Sequence, residues 1–326
     1  MRAALLTLAL VLVAAAPADA QQNPSFTAPG IPPPGANNPA CRPAAAHPFP
    51  VILVHGTFGD MTVSWNTIAP ALESRGFCVW ALDYGRRGTG PIDRSADQLG
   101  AFIDRVRART GAAKVSLVGH SQGGLLARYV TVRRNRLGVV DDIVGLAPPS
   151  HGTTNPLAGP AGAFGCIACG QQRAGSAFIR KVNQPPPEAP GPPWYTVLTT
   201  NHDIVVTPYR SQALAGDRAT NVILQRKCPL DFTGHVGMIG DPIALEWTVN
   251  ALERPGAANP RFVPDCTGGT FGRDPDAPGR SHGSPPPAGT PLNVTLARRH
   301  RLAVRARALL ARPGAVAVSS RHYRLR

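Results

Sequence analysis

The 326-residue sequence predicts an α/β fold, a mostly parallel, doubly wound sheet of about six strands flanked by helices. Two observations predict it. Short runs that are apolar at every position recur along the chain between turn residues, which suits strands covered on both faces. Amphipathic helical patterns separate several of these runs, and strand–helix alternation is the mark of a parallel sheet. A third observation, a serine in a glycine-crowded turn between one such run and one such helix, gives the sheet a chemistry.

The elements follow in chain order. Residues 1–20 combine Arg2, the apolar stretch "AALLTLALVLVAAA" and the small-residue site "ADA", the pattern of a signal peptide. Cleavage after Ala20 is expected, with the mature protein secreted (extracellular) and no later membrane span. Residues 21–48 are a Pro-rich lead-in, expected to be extended rather than packed. The domain proper is expected over 49–266. Its strands are "VILV" (51–54), "VWAL" (79–82), "VSLV" (115–118), "DIVGLA" (142–147), "YTVLTT" (195–200) and "NVILQ" (221–225). The helices are 95–110, with Leu99, Phe102, Ile103 and Val106 on one face and Ser95 as N-cap, then 124–135 and 238–252. Residues 148–193 are rich in Gly, Pro and Cys without clear periodicity, and are read as a loop excursion. Residues 267–326 are read as a basic Pro/Gly/Arg-rich tail or a small β-module.

Composition sets limits. A hydrophobic fraction of 43% against 16% charged residues suits a globular chain with a sizeable core. The net charge of +15 is concentrated at the end, since 267–326 hold 11 Arg and 2 Asp. The body is only mildly basic, and no basic stripe is interleaved with aromatics, so no nucleic-acid partner is expected. The tail is a candidate for contact with anionic cell-envelope polymer, and a monomer is expected. Six cysteines in an exported chain suggest three disulfides. Sequence order does not choose the pairing; the working assignment is Cys41–Cys78, Cys166–Cys169 and Cys228–Cys266. The C-x-x-C at 166–169 also admits a redox or zinc reading, but it lacks a second ligand pair and a strand–helix setting, so no metal and no cofactor is expected.

The chemistry centres on "KVSLVGHSQGGLLARYV", residues 114–130. Gly119-His120-Ser121-Gln122-Gly123 is a G-x-S-x-G pattern, that of a nucleophile elbow. A sharp strand-to-helix turn strains the serine backbone, and side chains two residues to either side would collide with neighbouring elements. The helix that follows points its N-terminus at the site, which favours developing negative charge. A serine hydroxyl needs a base. In this chain order an acid and then a histidine follow. His235 sits in "TGHVGMIG", between the last apolar run and the last helix. His151 comes too early, His202 adjoins the acid, and His282, His300 and His322 lie in the tail. Asp203 follows a strand end and is preferred as acid over Asp217 and Asp231. Oxyanion donors are expected from the backbone N–H groups of Thr57, after "VILVHG", and Gln122. His55 is read as bracing that loop.

With these residues placed, the sequence resembles the small secreted bacterial lipases of the class 2 (triacylglycerol) lipase family, within the α/β-hydrolase superfamily. The resemblance rests on "HPFPVILVHGTF", "FCVWALDYG", "TGAAKVSLVGHSQGG", "IVGLAPPSHGTT", "YTVLTTNHDIVVTPY" and "GHVGMI", in that order across 47–253. It implies an α/β-hydrolase fold and cofactor-free hydrolysis of acylglycerols or other lipophilic esters. It implies Ser121 as nucleophile, Asp203 as acid, His235 as base, and Thr57 and Gln122 as oxyanion donors. The disulfides, the 148–193 excursion and the basic tail depart from the smallest members. Phe58, Leu157 and Val205 are the expected apolar substrate contacts. The alternatives are an envelope-lipid acyltransferase or polyester hydrolase on the same site, and a non-catalytic envelope-binding protein.

Overall fold

The computed structural model describes residues 30–156, 158, 165–269 and 271–276. The expected signal peptide, Leu157 and residues 277–326 lie outside the described residues.

Among the described residues six strands form one sheet: β1 (Val51–Val54), β2 (Val79–Leu82), β3 (Val115–His120), β4 (Val140–Leu146), β5 (Trp194–Thr199) and β6 (Ala219–Ile223). Their order is β2-β1-β3-β4-β5-β6, and every pairing is parallel. Strands β1, β2 and β3 are buried at every position, as continuous apolar runs require when both faces are covered. From β1 the chain goes to one side for β2 and returns to the other side for β3. The strand order therefore reverses between β1 and β3, and a crevice opens at their C-terminal ends. The register aligns Val54 with Gly119, so the loops leaving β1 and β3 emerge side by side.

Helices cover both faces: α1 (Met61–Ser64), α2 (Ile68–Glu73), α3 (Ile92–Thr110), α4 (Gln122–Arg133), α5 (Ile167–Gln171), α6 (Ala177–Asn183) and α7 (Pro242–Leu252). Alternate strand residues feed two cores. Ile52 and Val54 join Leu99, Ile103, Leu125 and Phe178 on one face. Val51 and Leu53 join Trp65, Ile68, Leu72 and Trp247 on the other. Each large side chain buried this way contributes roughly 1.5–3 kcal/mol relative to exposure. Among the described residues no helix is long and apolar enough to cross a membrane.

Several local expectations are revised. Ser95 is not the N-cap of α3. The helix starts one turn earlier, after Pro91 at φ −57°, and Ser95 lies inside it with Oγ bonded back to the Pro91 carbonyl at 3.3 Å. The Ile92 N–H is satisfied from afar, by Gln171 Oε1 at 2.8 Å. From residue 30 onward the lead-in stays mostly exposed but is tied to the domain at points. Asn37 clips onto the edge strand β2, its amide bonding the carbonyl of Ala81 at 2.9 Å and accepting the Ala81 N–H at 2.7 Å. This covers a sheet edge that would otherwise be open. The 148–193 excursion contains two short helices, α5 and α6, rather than loop alone. Ser176 caps α6 by accepting from the Ile179 N–H.

Disulfides join Cys41 to Cys78, Cys166 to Cys169 and Cys228 to Cys266. They tie the lead-in to the start of β2, close the first turn of α5, and join the loop before His235 to the C-terminal segment. That segment packs beyond residue 266: Asp274 and Asp276 accept from Asn250, Asn259 and Arg261.

Candidate active site

Ser121 stands between β3 and α4 with φ 53° and ψ −125°, a left-handed conformation a non-glycine residue adopts only under constraint. The constraint is visible. A Cβ on Gly119 would lie 2.4 Å from the backbone of Gly123 and Gly124, and one on Gly123 only 1.9 Å from the Val54 carbonyl oxygen. Glycine at both places lets α4 press against β1 and forces the serine outward. The Ser121 N–H is fixed on the Leu146 carbonyl at 2.8 Å.

His235 and Asp203 meet across 32 residues of sequence, with His235 Nδ1 2.7 Å from Asp203 Oδ2. Both side chains are almost fully buried. Asp203 Oδ2 also accepts from Gln212 Nε2 at 2.8 Å, and Oδ1 accepts the N–H groups of Val205 and Val206, each at 2.8 Å. Burial alone would raise this carboxyl. The bond from His235 and the two backbone donors outweigh it and hold Asp203 below its ordinary value. An ionised carboxylate facing Nδ1 places the ring proton there and leaves Nε2 as the free base. The rival acids are elsewhere. Asp231 braces its own turn through the Thr233 N–H and Gln225, and Asp217 is exposed. His151 pairs with Glu188 at 2.7 Å.

Thr57 follows β1, and Gln122 opens α4, where a helix leaves its first N–H groups without intrahelical partners. Their side chains lock together. Thr57 Oγ1 donates to Gln122 Oε1 at 2.6 Å, and Gln172 Nε2 donates to both oxygens, at 3.0 and 3.2 Å. Gln172 was not visible in the sequence, because nothing in the aperiodic excursion indicates which of its polar residues turns inward. The Thr57 loop is clamped from its other side: the Phe58 N–H bonds the Arg87 carbonyl at 2.7 Å, and Arg87 pairs with Asp60 at 2.7 Å. His55 braces its base, with Nδ1 2.8 Å from the Gly56 carbonyl and the ring stacked on Tyr84 at 4.3 Å.

Ser121, His235, Thr57, Phe58 and Val205 line one cavity of about 370 Å³, together with His120, Gln172 and Val236. Phe58 and Val236 are more than half exposed at its wall. Of the three expected apolar contacts, the structure brings Phe58 and Val205 to the cavity, while Leu157 lies outside the described residues. Among the described residues no group of three or more His, Cys, Asp or Glu side chains is gathered as a metal would need.

A parallel sheet sandwiched by helices, with a strained serine at the end of a central strand, is the α/β-hydrolase fold. Solved structures agree. Aspergillus fumigatus lipase B superposes with a TM-score of 0.58 at 22% identity, over 73% of this chain and 64% of that one. Bacillus licheniformis lipase BlEst2 in its propeptide form gives 0.54 at 21% identity, over 71% and 56%. Residues 48–248 match the family Lipase (class 2), and the chain belongs to that family. Relatives include a triacylglycerol lipase of Pseudarthrobacter phenanthrenivorans, 38% identical over 116 residues, 33% of this chain and 35% of that one. One of Burkholderia plantarii is likewise 38% identical over 116 residues, 33% and 32%. The chain thus spans about a third of the length of the curated relatives it matches.

Proposed function

We propose that the protein is a secreted carboxylester hydrolase acting on lipophilic esters such as acylglycerols through a covalent acyl-enzyme. The observation that carries this reading is that Ser121, Thr57 and His235 line one cavity with apolar walls, with His235 bonded to the buried Asp203 and Gln122 next to Ser121 at the start of α4. Family membership and the names of the relatives point to the same substrate class. Six paired cysteines suit an oxidising compartment.

In the first half-reaction Ser121 Oγ attacks the ester carbonyl carbon while His235 Nε2 takes its proton. The negative charge that develops on the carbonyl oxygen is received by the N–H groups of Thr57 and Gln122 at the positive end of α4. Collapse of the tetrahedral intermediate breaks the ester bond, and His235 returns the proton to the departing alkoxide. Water then attacks the acyl-serine with His235 again as base, releasing the acid and restoring Ser121. Asp203 stabilises the imidazolium and fixes its tautomer without taking the proton.

The test is hydrolysis of p-nitrophenyl esters from short to long acyl chains by the mature chain, beside Ser121→Ala. Turnover in the parent and a loss of about six orders of magnitude in kcat in the variant are expected. Undiminished turnover in Ser121→Ala, or none in the folded, oxidised parent, would refute the reading.

A further inference from the structure

His120 is the free position of the G-x-S-x-G pattern, and the mechanism above gives it no task. We propose that His120 is a positioning residue whose Nε2–H holds the main-chain carbonyl of His235, fixing the base against the nucleophile turn. The inference rests on the roles proposed for Ser121 and His235.

His120 ends β3 and is 7% exposed, at the cavity wall. Its Nε2 lies 2.9 Å from the His235 carbonyl oxygen. A carbonyl only accepts, so Nε2 carries the proton and the neutral ring leaves Nδ1 bare. The titratable groups that face it are His235, Asp203 and His55. Burial, and then the neighbouring His235, lower its pKa to about 3, so the ring stays neutral across the working range. Neutrality is what this place requires. The His120 and His235 rings are 4.9 Å apart, and His235 becomes a cation in each half-reaction. A charged donor here would oppose that step; a neutral one holds the loop without doing so.

The loop needs such a tie. Leu230, Phe232 and Val236 are 85%, 73% and 66% exposed, so these apolar side chains do not bury the loop, and the polar bonds of Asp231 and Thr233 hold it to Gln225 and Asp241 and not to the nucleophile turn. Asp203 grips the His235 ring through Nδ1, a single bond that leaves the main chain unguided. The Cys228–Cys266 disulfide and the bond from Thr200 Oγ1 to the Thr233 carbonyl hold the loop to the C-terminal segment and to the end of β5. The bond from His120 runs instead from the strand that carries the nucleophile. It makes the distance from base to serine a property of one rigid strand end rather than of a long loop.

The experiment compares His120→Leu, which removes the donor, with His120→Gln, whose amide N–H reaches a similar position. Each is assayed for kcat, KM and pH profile on p-nitrophenyl butyrate, with thermal melting as the check on folding. In His120→Leu we expect kcat to fall about 10- to 100-fold with KM little changed, as for a base misplaced by a fraction of an ångström to an ångström. His120→Gln should recover most of the loss. Parental kcat in a folded His120→Leu, or an equal loss in both folded variants, would overturn the proposal and leave the roles of Ser121 and His235 intact. The imidazole ¹⁵N spectrum of the parent does not depend on turnover. A neutral Nε2–H tautomer of His120 throughout about pH 5 to 8 is expected. An Nδ1–H tautomer, or protonation in that range, would overturn the proposal even if the protein hydrolysed no ester.

Discussion

Replacing Gly123 by alanine adds one methyl group at the point where α4 meets β1. The new Cβ would lie 1.9 Å from the Val54 carbonyl oxygen and 2.6 Å from that of His55, whereas ordinary contact begins at 3.4 Å. The shortfall is about 1.5 Å. Both obstructing atoms are backbone, so neither can swing aside as a side chain would. The first turn of α4 has to back away from β1, carrying Ser121 Oγ and the Gln122 N–H with it. Overpacking of this kind typically costs about 1–3 kcal/mol, and rigid obstacles place this case at the upper end. A displacement of about 1 Å at reacting groups is enough for a 100-fold loss. We therefore expect Gly123→Ala to lose about 3 kcal/mol of unfolding free energy in urea and at least about 100-fold in kcat/KM on p-nitrophenyl butyrate. Gly138→Ala is the control, since a Cβ there meets nothing within 4 Å and should change neither quantity. Parental activity and an unchanged urea midpoint in Gly123→Ala would refute the steric account of the elbow.

Two further outcomes follow from the same structure. Loop-closure entropy separates the disulfides by span: replacing Cys228 and Cys266 (separation 38) by serine should cost about 4 kcal/mol, and replacing Cys166 and Cys169 (separation 3) about 2 kcal/mol. Equal costs in denaturant titrations would contradict that ordering. Asp142, buried in β4, has its carboxyl raised well above the ordinary value by burial first and then by Asp141, against Lys114 and Arg254. The native state therefore keeps a proton that the unfolded chain has already released, and stability falls as pH rises from about 3.9 through the raised native value. Asp142→Asn should flatten that slope and be more stable than the parent on its alkaline side. Unfolding midpoints across pH that superimpose for the two proteins would count against it.

The strands were legible because their cause is local. Val51–Val54 and Val79–Leu82 begin and end where the apolar runs do, since a segment buried on both faces favours apolar side chains along its length. Where a side chain has distant work, the run misleads. Leu224 and Gln225 read as strand, yet β6 stops at Ile223 and Gln225 turns to bond Thr200 and Asp231. Pro91, not Ser95, marks the start of α3, because the N–H it frees is met by Gln171, 79 residues away.

The elbow at Ser121 was legible as a motif, but only part of its cause is local: Gly119 is crowded by Gly123 and Gly124, whereas Gly123 is crowded by the Val54 carbonyl of β1. Chain order and placement at loop ends also led the sequence reading to Asp203 and His235. The contact between His235 Nδ1 and Asp203 Oδ2, the link Gln172 makes between Thr57 and Gln122, and the bond from His120 to the His235 main chain came only from the tertiary structure. Spacing along the chain determines which face a residue occupies and how sharply a turn must bend. Which residues then meet depends on the strand order β2-β1-β3-β4-β5-β6, which sets distant loops side by side at one end of the sheet.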